Sequence, residues 1–297
     1  MKIILSASRR TDIPAFYMDW FMDRIESGVF ETINPYNQKK TLVPATPEHV
    51  HSIIFWSKNF SRFIDGQFGQ QLRDKGYPLF FNFTINSDIS FLEPGLPSID
   101  SRLEQAAALC KAFGSEAVLW RFDPVCFYTL PDGSEGNNLG DFNRIAVQIA
   151  ACGVGRCVTS FMDHYAKITK RPRPYDGFRF IDPDIRRKCD VLQHMESVVA
   201  SKNMGLYTCC EKTVMAEMPP ETKVRNSSCI PGRELADLFG NDVSLRKDAG
   251  QRVKQGCGCT VSTDIGIYNR HPCYHNCLFC YANPQKQESH AHITETK

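Results

Sequence analysis

The chain has 297 residues, 42% of them hydrophobic, with 35 basic against 33 acidic side chains and a formal charge of +2. That length can bury one large core, whether as a single barrel or as two domains. The near-neutral balance excludes a global electrostatic footprint for nucleic acid or an anionic membrane, so any polyanion contact has to be local. The apolar run over residues 1–5 is too short for a secretory signal, and no later stretch reaches the length of a membrane span. A cytoplasmic protein without a membrane partner is the expectation. Thirteen cysteines, an odd number, argue against a disulfide scaffold and for reduced thiols and metal.

In chain order, short apolar, β-branched or aromatic runs alternate with amphipathic stretches. Strands are predicted over residues 2–8, 31–34, 52–57, 79–85, 117–122, 157–161, 204–209 and 224–229. Between them, Asp12 and Pro14 open a helix that stops at Gly28, and Thr46 with Pro47 opens a short one. Ser101 with Glu104 reads as a capping box ahead of residues 103–113, Asp141 and Gly153 bracket another helix, and residues 184–202 form a long one closed by Gly205.

This alternation belongs to α/β proteins with a parallel sheet, and seven or eight units predict a (β/α) TIM-type barrel over residues 1–255. A cysteine-rich segment, 256–284, is expected to pack on it, followed by a flexible polar tail, 285–297. Two stretches interrupt the pattern: glycine-rich residues 130–140, and the basic, proline-stiffened residues 170–174. Each reads as a solvated connector, with the mouth of the barrel as the alternative place.

The densest chemistry lies in His271-Pro-Cys-Tyr-His-Asn-Cys-Leu-Phe-Cys-Tyr-Ala-Asn283. Three thiolates spaced C-x3-C-x2-C, from Cys273, Cys277 and Cys280, can hold three irons of a cubane iron-sulfur cluster and leave the fourth open. A zinc site would want a fourth protein ligand, for which His271 and His275 are the candidates. Cys257 and Cys259, with Cys209 and Cys229 on the last two predicted strands, make a four-thiolate set for a second 4Fe-4S cluster or zinc; buried inert thiols are the alternative. Cys210 faces the other side of its strand from Cys209, and Cys110, Cys126, Cys152, Cys157 and Cys189 read as core.

Parallel barrels carry their sites at the carboxyl ends of the strands. Those ends offer Arg9, Arg10 and Asp12, then Lys58 and Asn59, Thr84 and Asn86, and Arg121 and Asp123 as cofactor-binding candidates. Arg9, Arg10, Lys58 and Arg121 are the anion binders among them. Helix capping and structural ion pairing are the competing explanation. Trp56, Trp120 and Phe122 could stack a base, although aromatic strand residues more often belong to the core. No residue stands out as a catalytic acid or base, and no aromatic-plus-basic platform supports an extended nucleic-acid surface.

The C-x3-C-x2-C run, with Phe279 before its last cysteine, resembles that of the S-adenosylmethionine radical enzymes, and Tyr281-Ala282 resembles their spore photoproduct lyase branch. Over nearly the whole chain, Ser6-Ala-Ser-Arg-Arg-Thr-Asp-Ile-Pro14, Phe55-Trp-Ser-Lys-Asn59, Trp120-Arg-Phe-Asp-Pro124, Gln251-Arg252 and Cys257-Gly-Cys-Thr-Val-Ser-Thr-Asp-Ile-Gly-Ile-Tyr268 are similar to the family known as domain of unknown function 1848. That family's name implies no substrate.

The superfamily resemblance implies an oxygen-sensitive enzyme that binds a 4Fe-4S cluster and S-adenosylmethionine. It would take electrons from a donor such as ferredoxin or flavodoxin and generate a 5′-deoxyadenosyl radical on a small or nucleotide-like, anionic substrate. A metal-stapled binding or redox-sensing barrel without radical chemistry is the alternative. In most members the motif follows the first strand, whereas here almost everything precedes it. The barrel is therefore expected to be circularly permuted or incomplete, with residues 261–268 running beside residues 1–8.

Overall fold

The computed structural model describes residues 1–34 and 37–282. Strand β1 (Ile3–Ala7) leads through helices α1 (Ile13–Phe16) and α2 (Met18–Glu26) into a hairpin of β2 (Val29–Ile33) and β3 (Lys40–Pro44). Then come β4 (Val50–Ser57), α3 (Ser61–Asp65), α4 (Phe68–Asp74), β5 (Leu79–Thr84), α5 (Ile99–Phe113) and β6 (Val118–Val125). The short β7 (Phe127–Thr129) and β8 (Glu135–Asn137) precede α6 (Phe142–Ala151), β9 (Arg156–Phe161), α7 (Ala166–Thr169) and β10 (Arg179–Ile181). The chain continues through α8 (Ile185–Ala200), β11 (Gly205–Thr208), α9 (Lys212–Ala216), β12 (Arg225–Asn226) and α10 (Gly232–Phe239) to β13 (Thr263–Asp264).

Eight strands form one sheet in the order β12-β11-β9-β6-β5-β4-β1-β13, every neighbouring pair parallel. The strand expected near residues 31–34 does form, but as β2 it pairs antiparallel with β3 outside this sheet. The place beside β1 goes to β13, with Thr263 opposite Leu5 and Asp264 opposite Ser6. Residues from the carboxyl-terminal segment thus run beside the start of the chain. The sheet does not close into a TIM-type barrel. Its edges, β12 and β13, are two residues each and share no ladder among the described residues, because the chain leaving β12 turns at Pro231 into α10.

Successive side chains of a strand point to opposite faces, and in this sheet both faces are apolar, as covered parallel strands require. Leu5, Ile53, Phe55, Phe81, Trp120 and Cys157 face the helical layer. Ile4, Ile54, Phe80, Leu119 and Val158 gather on the other side with Ile230, Val243, and Leu235 and Ala236 of α10. One face of five neighbouring strands shares a single apolar cluster with α10, and the polar carboxyl ends border a separate cavity. Trp120 and Phe122 are fully buried in the outer core, Trp120 stacking on Phe142 and donating from Nε1 to the Ile85 carbonyl at 3.0 Å. They are not available to stack a base.

Side-chain caps open α1, α5 and α8, whereas the predicted cap Asp141 makes no such bond at α6. Asp184 accepts from the Arg187 N–H at 2.8 Å and caps α8, whereas α5 is capped by Ser98, not Ser101. Residues 46–49 make a turn, not a helix: the Thr46 carbonyl accepts from the His49 and Val50 N–H groups and the chain passes straight into β4. The glycine-rich residues 130–140 are not a plain connector, since they close the β7–β8 hairpin, which pairs with β10. No helix among the described residues is long and apolar enough to cross a membrane. The predicted tail, 285–297, lies outside the described residues.

Candidate functional site

Because all eight strands run parallel, their carboxyl ends open on one side, where they border a cavity of about 440 Å³. Strand β1 delivers Arg9 and Asp12, β4 delivers Trp56 and Lys58, β5 Thr84, β6 Arg121 and Asp123, and β11 Cys209. Cys229, Cys257 and Cys259 line one part of the wall, and Cys273, Cys277 and Cys280 line another. All seven cysteines singled out from spacing therefore face one space.

The loop of Cys273, Cys277 and Cys280 is held by contacts with segments far away in sequence. His275, 2% exposed, meets the Asp12 carboxylate through Nε2 at 2.7 Å and the Gly95 carbonyl through Nδ1 at 3.3 Å. Asp12 also accepts from the Ala15 N–H at 3.0 Å, the Ser57 hydroxyl at 2.7 Å and the Lys58 N–H at 2.9 Å. Its carboxylate thus joins α1, the end of β4 and the cysteine loop, and is fully committed to them. Tyr17 donates to the Pro272 carbonyl at 2.6 Å, and the Leu278 N–H reaches the Leu92 carbonyl at 2.8 Å. Arg171, from the basic loop, donates to the Cys277 and Leu278 carbonyls at 2.8 and 3.2 Å, so that loop also covers the site. Cys277 and Phe279 pack with Tyr128 of β7 and with Phe178 ahead of β10.

Gly95 allows the closest of these approaches, donating its N–H to the His275 carbonyl at 3.0 Å. A Cβ at that position would lie 2.7 Å from the His275 oxygen and 2.8 Å from its Cα. Gly95→Ala is therefore expected to destabilise the metal-free protein by about 2 kcal/mol through overpacking. A urea midpoint equal to that of the parent would show that the loop does not rest there.

His275 is engaged at both ring nitrogens, and His271 does not line the cavity. His271 accepts the Ile267 N–H at Nδ1 while its ring packs 4.1 Å from that of Trp20. Burial, with Arg270 beside it, pushes the His271 pKa down to about 4. Lys58 and Glu93 form a buried ion pair beside Cys277, whose sulfur lies 3.8 Å from Glu93 Oε1. Burial disfavours the charge on Lys58, but Glu93 and Cys277 outweigh it and hold its pKa above the ordinary value. Burial pushes the Cys273 and Cys277 thiols up. Binding a metal here would release protons. Among the described residues, no three His, Cys, Asp or Glu side chains converge as they would about a single metal ion.

Elsewhere on the cavity wall, the sulfurs of Cys209 and Cys229 lie 3.2 Å apart and those of Cys209 and Cys210 3.7 Å apart. Cys210 has a left-handed backbone, φ +65°, which ends the strand alternation and turns its side chain back toward Cys209. The expectation that it faces away is corrected. Cys229 is held below its ordinary pKa by hydrogen bonds from Cys209 and Cys259 and by the Arg121 and Arg9 guanidiniums, and Cys257 is lowered to about 3 by hydrogen bonds with Cys210 and Cys259. Arg121 donates to the Cys229 sulfur at 3.1 Å and pairs with Asp123, which also accepts from Ser160.

Three expected cofactor binders do not line the cavity. Arg10 turns away, donating to the Gly266 carbonyl at 3.0 Å beside Tyr268. Asn59 accepts from the Ser61 N–H at 3.1 Å at the start of α3, and Asn86 bonds the Asp123 backbone in both directions. Their polarity serves the backbone. Residues not anticipated include Glu93, Arg171 and Asp264, which accepts from Ser6, Ser8 and the Arg9 N–H and so fastens β13 to the end of β1.

An α/β protein with a thiol-lined cavity at the carboxyl edge of a parallel sheet is the class these features define. The sequence profile described as Domain of unknown function (DUF1848) matches residues 4–282, and the chain belongs to that family. Among curated proteins, none matches its sequence.

Proposed function

We propose that this protein is a radical S-adenosylmethionine enzyme that holds a 4Fe-4S cluster on Cys273, Cys277 and Cys280 and acts on a small or nucleotide-like, anionic substrate in the cavity. The observation that carries the reading is a set of three thiols on one loop facing that cavity, with His275 engaged at both ring nitrogens and His271 outside the cavity lining. Three thiolates without a fourth protein donor fit a cubane with one open iron. Such a cluster, with S-adenosylmethionine bound, supplies one-electron cleavage of the sulfonium to methionine and a 5′-deoxyadenosyl radical.

The chain's own residues would bind, orient and shield. Arg9, Lys58 and Arg121 line the same cavity and supply the positive charge for carboxylate or phosphate groups, with Thr84 and Asp123 as polar partners for a ribose. The aromatic ring of Phe279 lies under the Lys58 ammonium, 5.2 Å away, which aims that cation into the cavity. Tyr281, the residue behind the likeness to the spore photoproduct lyase branch, lines the wall and donates to the Arg9 carbonyl at 3.0 Å. An external one-electron donor of the ferredoxin or flavodoxin kind is the partner this chemistry requires.

The test uses anaerobically reconstituted protein. Iron and sulfide are measured, electron paramagnetic resonance spectra of the reduced cluster are recorded with and without S-adenosylmethionine, and released 5′-deoxyadenosine is quantified. A spectrum altered by the cofactor, with release of 5′-deoxyadenosine, is expected. Full iron occupancy with an unaltered spectrum and no release would overturn the reading in favour of a metal-stapled binding or redox-sensing protein.

A further inference from the structure

Five of the buried or half-buried thiols belong to neither the first cysteine loop nor the outer core. Cys209 and Cys210 follow β11, Cys229 follows β12, and Cys257 and Cys259 come from the turn that precedes β13. Three separate chain segments are thereby brought to one patch of the cavity wall. Cys209 touches both Cys210 and Cys229, Cys229 and Cys259 line the same wall, and Cys257 bonds both Cys210 and Cys259. The segments are fixed by the backbone: the Thr260 N–H donates to the Ile230 carbonyl at 3.1 Å, and the Asp248 N–H to the Cys259 carbonyl at 2.9 Å.

Two cations, buried Arg121 and half-buried Arg9, adjoin these sulfurs. Arg121, 5% exposed, spends one nitrogen on Cys229 and another on Asp123. The Arg9 guanidinium gives Nη2 to Ser262 and lies beside Asp264, yet its Nη1 is buried with no acceptor. A buried guanidinium N–H left unpaired costs free energy on the order of 1–3 kcal/mol and is rare enough to call for an explanation. Neutral thiols are poor acceptors, and inert core cysteines pack against hydrocarbon, not against arginine. A thiolate-bound metal centre carries net negative charge and sulfur lone pairs, and supplies the acceptor that Arg9 Nη1 lacks among the described residues and a counter-charge for Arg121.

We propose that Cys209, Cys210, Cys229, Cys257 and Cys259 form a second metal centre of thiolate type in the wall of the cavity that the Cys273 loop also lines, taking an iron-sulfur cluster or zinc, with Arg9 and Arg121 as its counter-charges. Four of the thiols suffice as ligands, and the fifth remains in contact with them. The sulfurs touch in a chain and do not converge on a point, so metal uptake turns these short side chains about their Cα–Cβ bonds. The centre stands whether or not the Cys273 loop generates a radical.

The test uses the full chain with Cys273, Cys277 and Cys280 all replaced by alanine, purified without oxygen. Iron, sulfide and zinc are measured, and the alkylation of each cysteine is followed by mass spectrometry before and after a chelator. Retained iron with equimolar sulfide, or retained zinc, supports the centre and decides which metal it takes. Alkylation of Cys209, Cys229, Cys257 and Cys259 should be at least tenfold slower before the chelator than after it. The same protection should appear in the unaltered protein, which guards against a triple variant that fails to fold. Metal no higher than in a variant that also lacks those four thiols, with alkylation unaffected by the chelator, would overturn the proposal.

Discussion

Replacing Cys277 with alanine is expected to remove the iron bound by the Cys273 loop and to abolish release of 5′-deoxyadenosine, while leaving the fold in place. Cys277 is 3% exposed, between Cys273 and Cys280, with its sulfur beside the Lys58–Glu93 pair. Two remaining thiolates cannot hold a cubane that three hold only with one iron unligated. The cost to folding should be small, about 1 kcal/mol for a buried sulfur, because Lys58 and Glu93 keep each other as partners. Iron and sulfide per chain, compared with the unaltered protein, give the first readout. Far-ultraviolet circular dichroism and the urea midpoint of the metal-free forms give the second. Metal content equal to that of the parent would sink the assignment of this loop, and loss of the fold would show that it is a structural staple.

The strands of the parallel sheet were legible because a covered parallel strand is apolar on both faces and reads as a continuous run, as in residues 52–57 and 79–85. The hairpin was half legible. Residues 31–33 show β character, but the partner β3 has the sequence Lys-Thr-Leu-Val-Pro, with one residue in five buried, and looks like loop. Closure of the barrel could not be read from patterning, since it depends on whether two-residue edges meet. The position of residues 261–268 beside the first strand followed from motif order and is realised through β13.

At the site, the cysteine spacings carried most of the information, and the remainder depends on distant partners. Asp12 and His275 are 263 positions apart, and Glu93 lies in an irregular stretch whose neighbours give no hint that a lysine will meet it. Cys210 was misplaced because alternation was carried one residue beyond the end of β11, where a positive φ reverses the direction of the side chain. Asn59 and Asn86 show the opposite limit: polar residues at strand ends satisfy backbone groups as readily as they bind ligands.

Asp12→Ala is expected to cost about 3–5 kcal/mol, the range for stripping a buried charged acceptor from its partners. The carboxylate is 5% exposed and takes hydrogen bonds from two backbone N–H groups, a hydroxyl and the His275 ring. Alanine would leave the two N–H groups and the His275 ring without this acceptor, while the Ser57 hydroxyl keeps the Asn59 carbonyl at 2.8 Å. The loss is not confined to stability, because His275 lies between Cys273 and Cys277 and its ring is the loop's inward anchor. With that anchor free, the thiols lose their fixed spacing, and iron should wash out during gel filtration of the reconstituted variant. Ser57→Ala separates the two effects. It removes one donor to the same carboxylate at a cost of about 1 kcal/mol but leaves His275 seated, so iron should be retained. Urea denaturation of the metal-free proteins measures the first effect, and iron per chain after filtration the second. If Asp12→Ala keeps the parent's iron, the loop is held by its other contacts, chiefly those to Leu92, Gly95 and Arg171, and the carboxylate is only a helix cap.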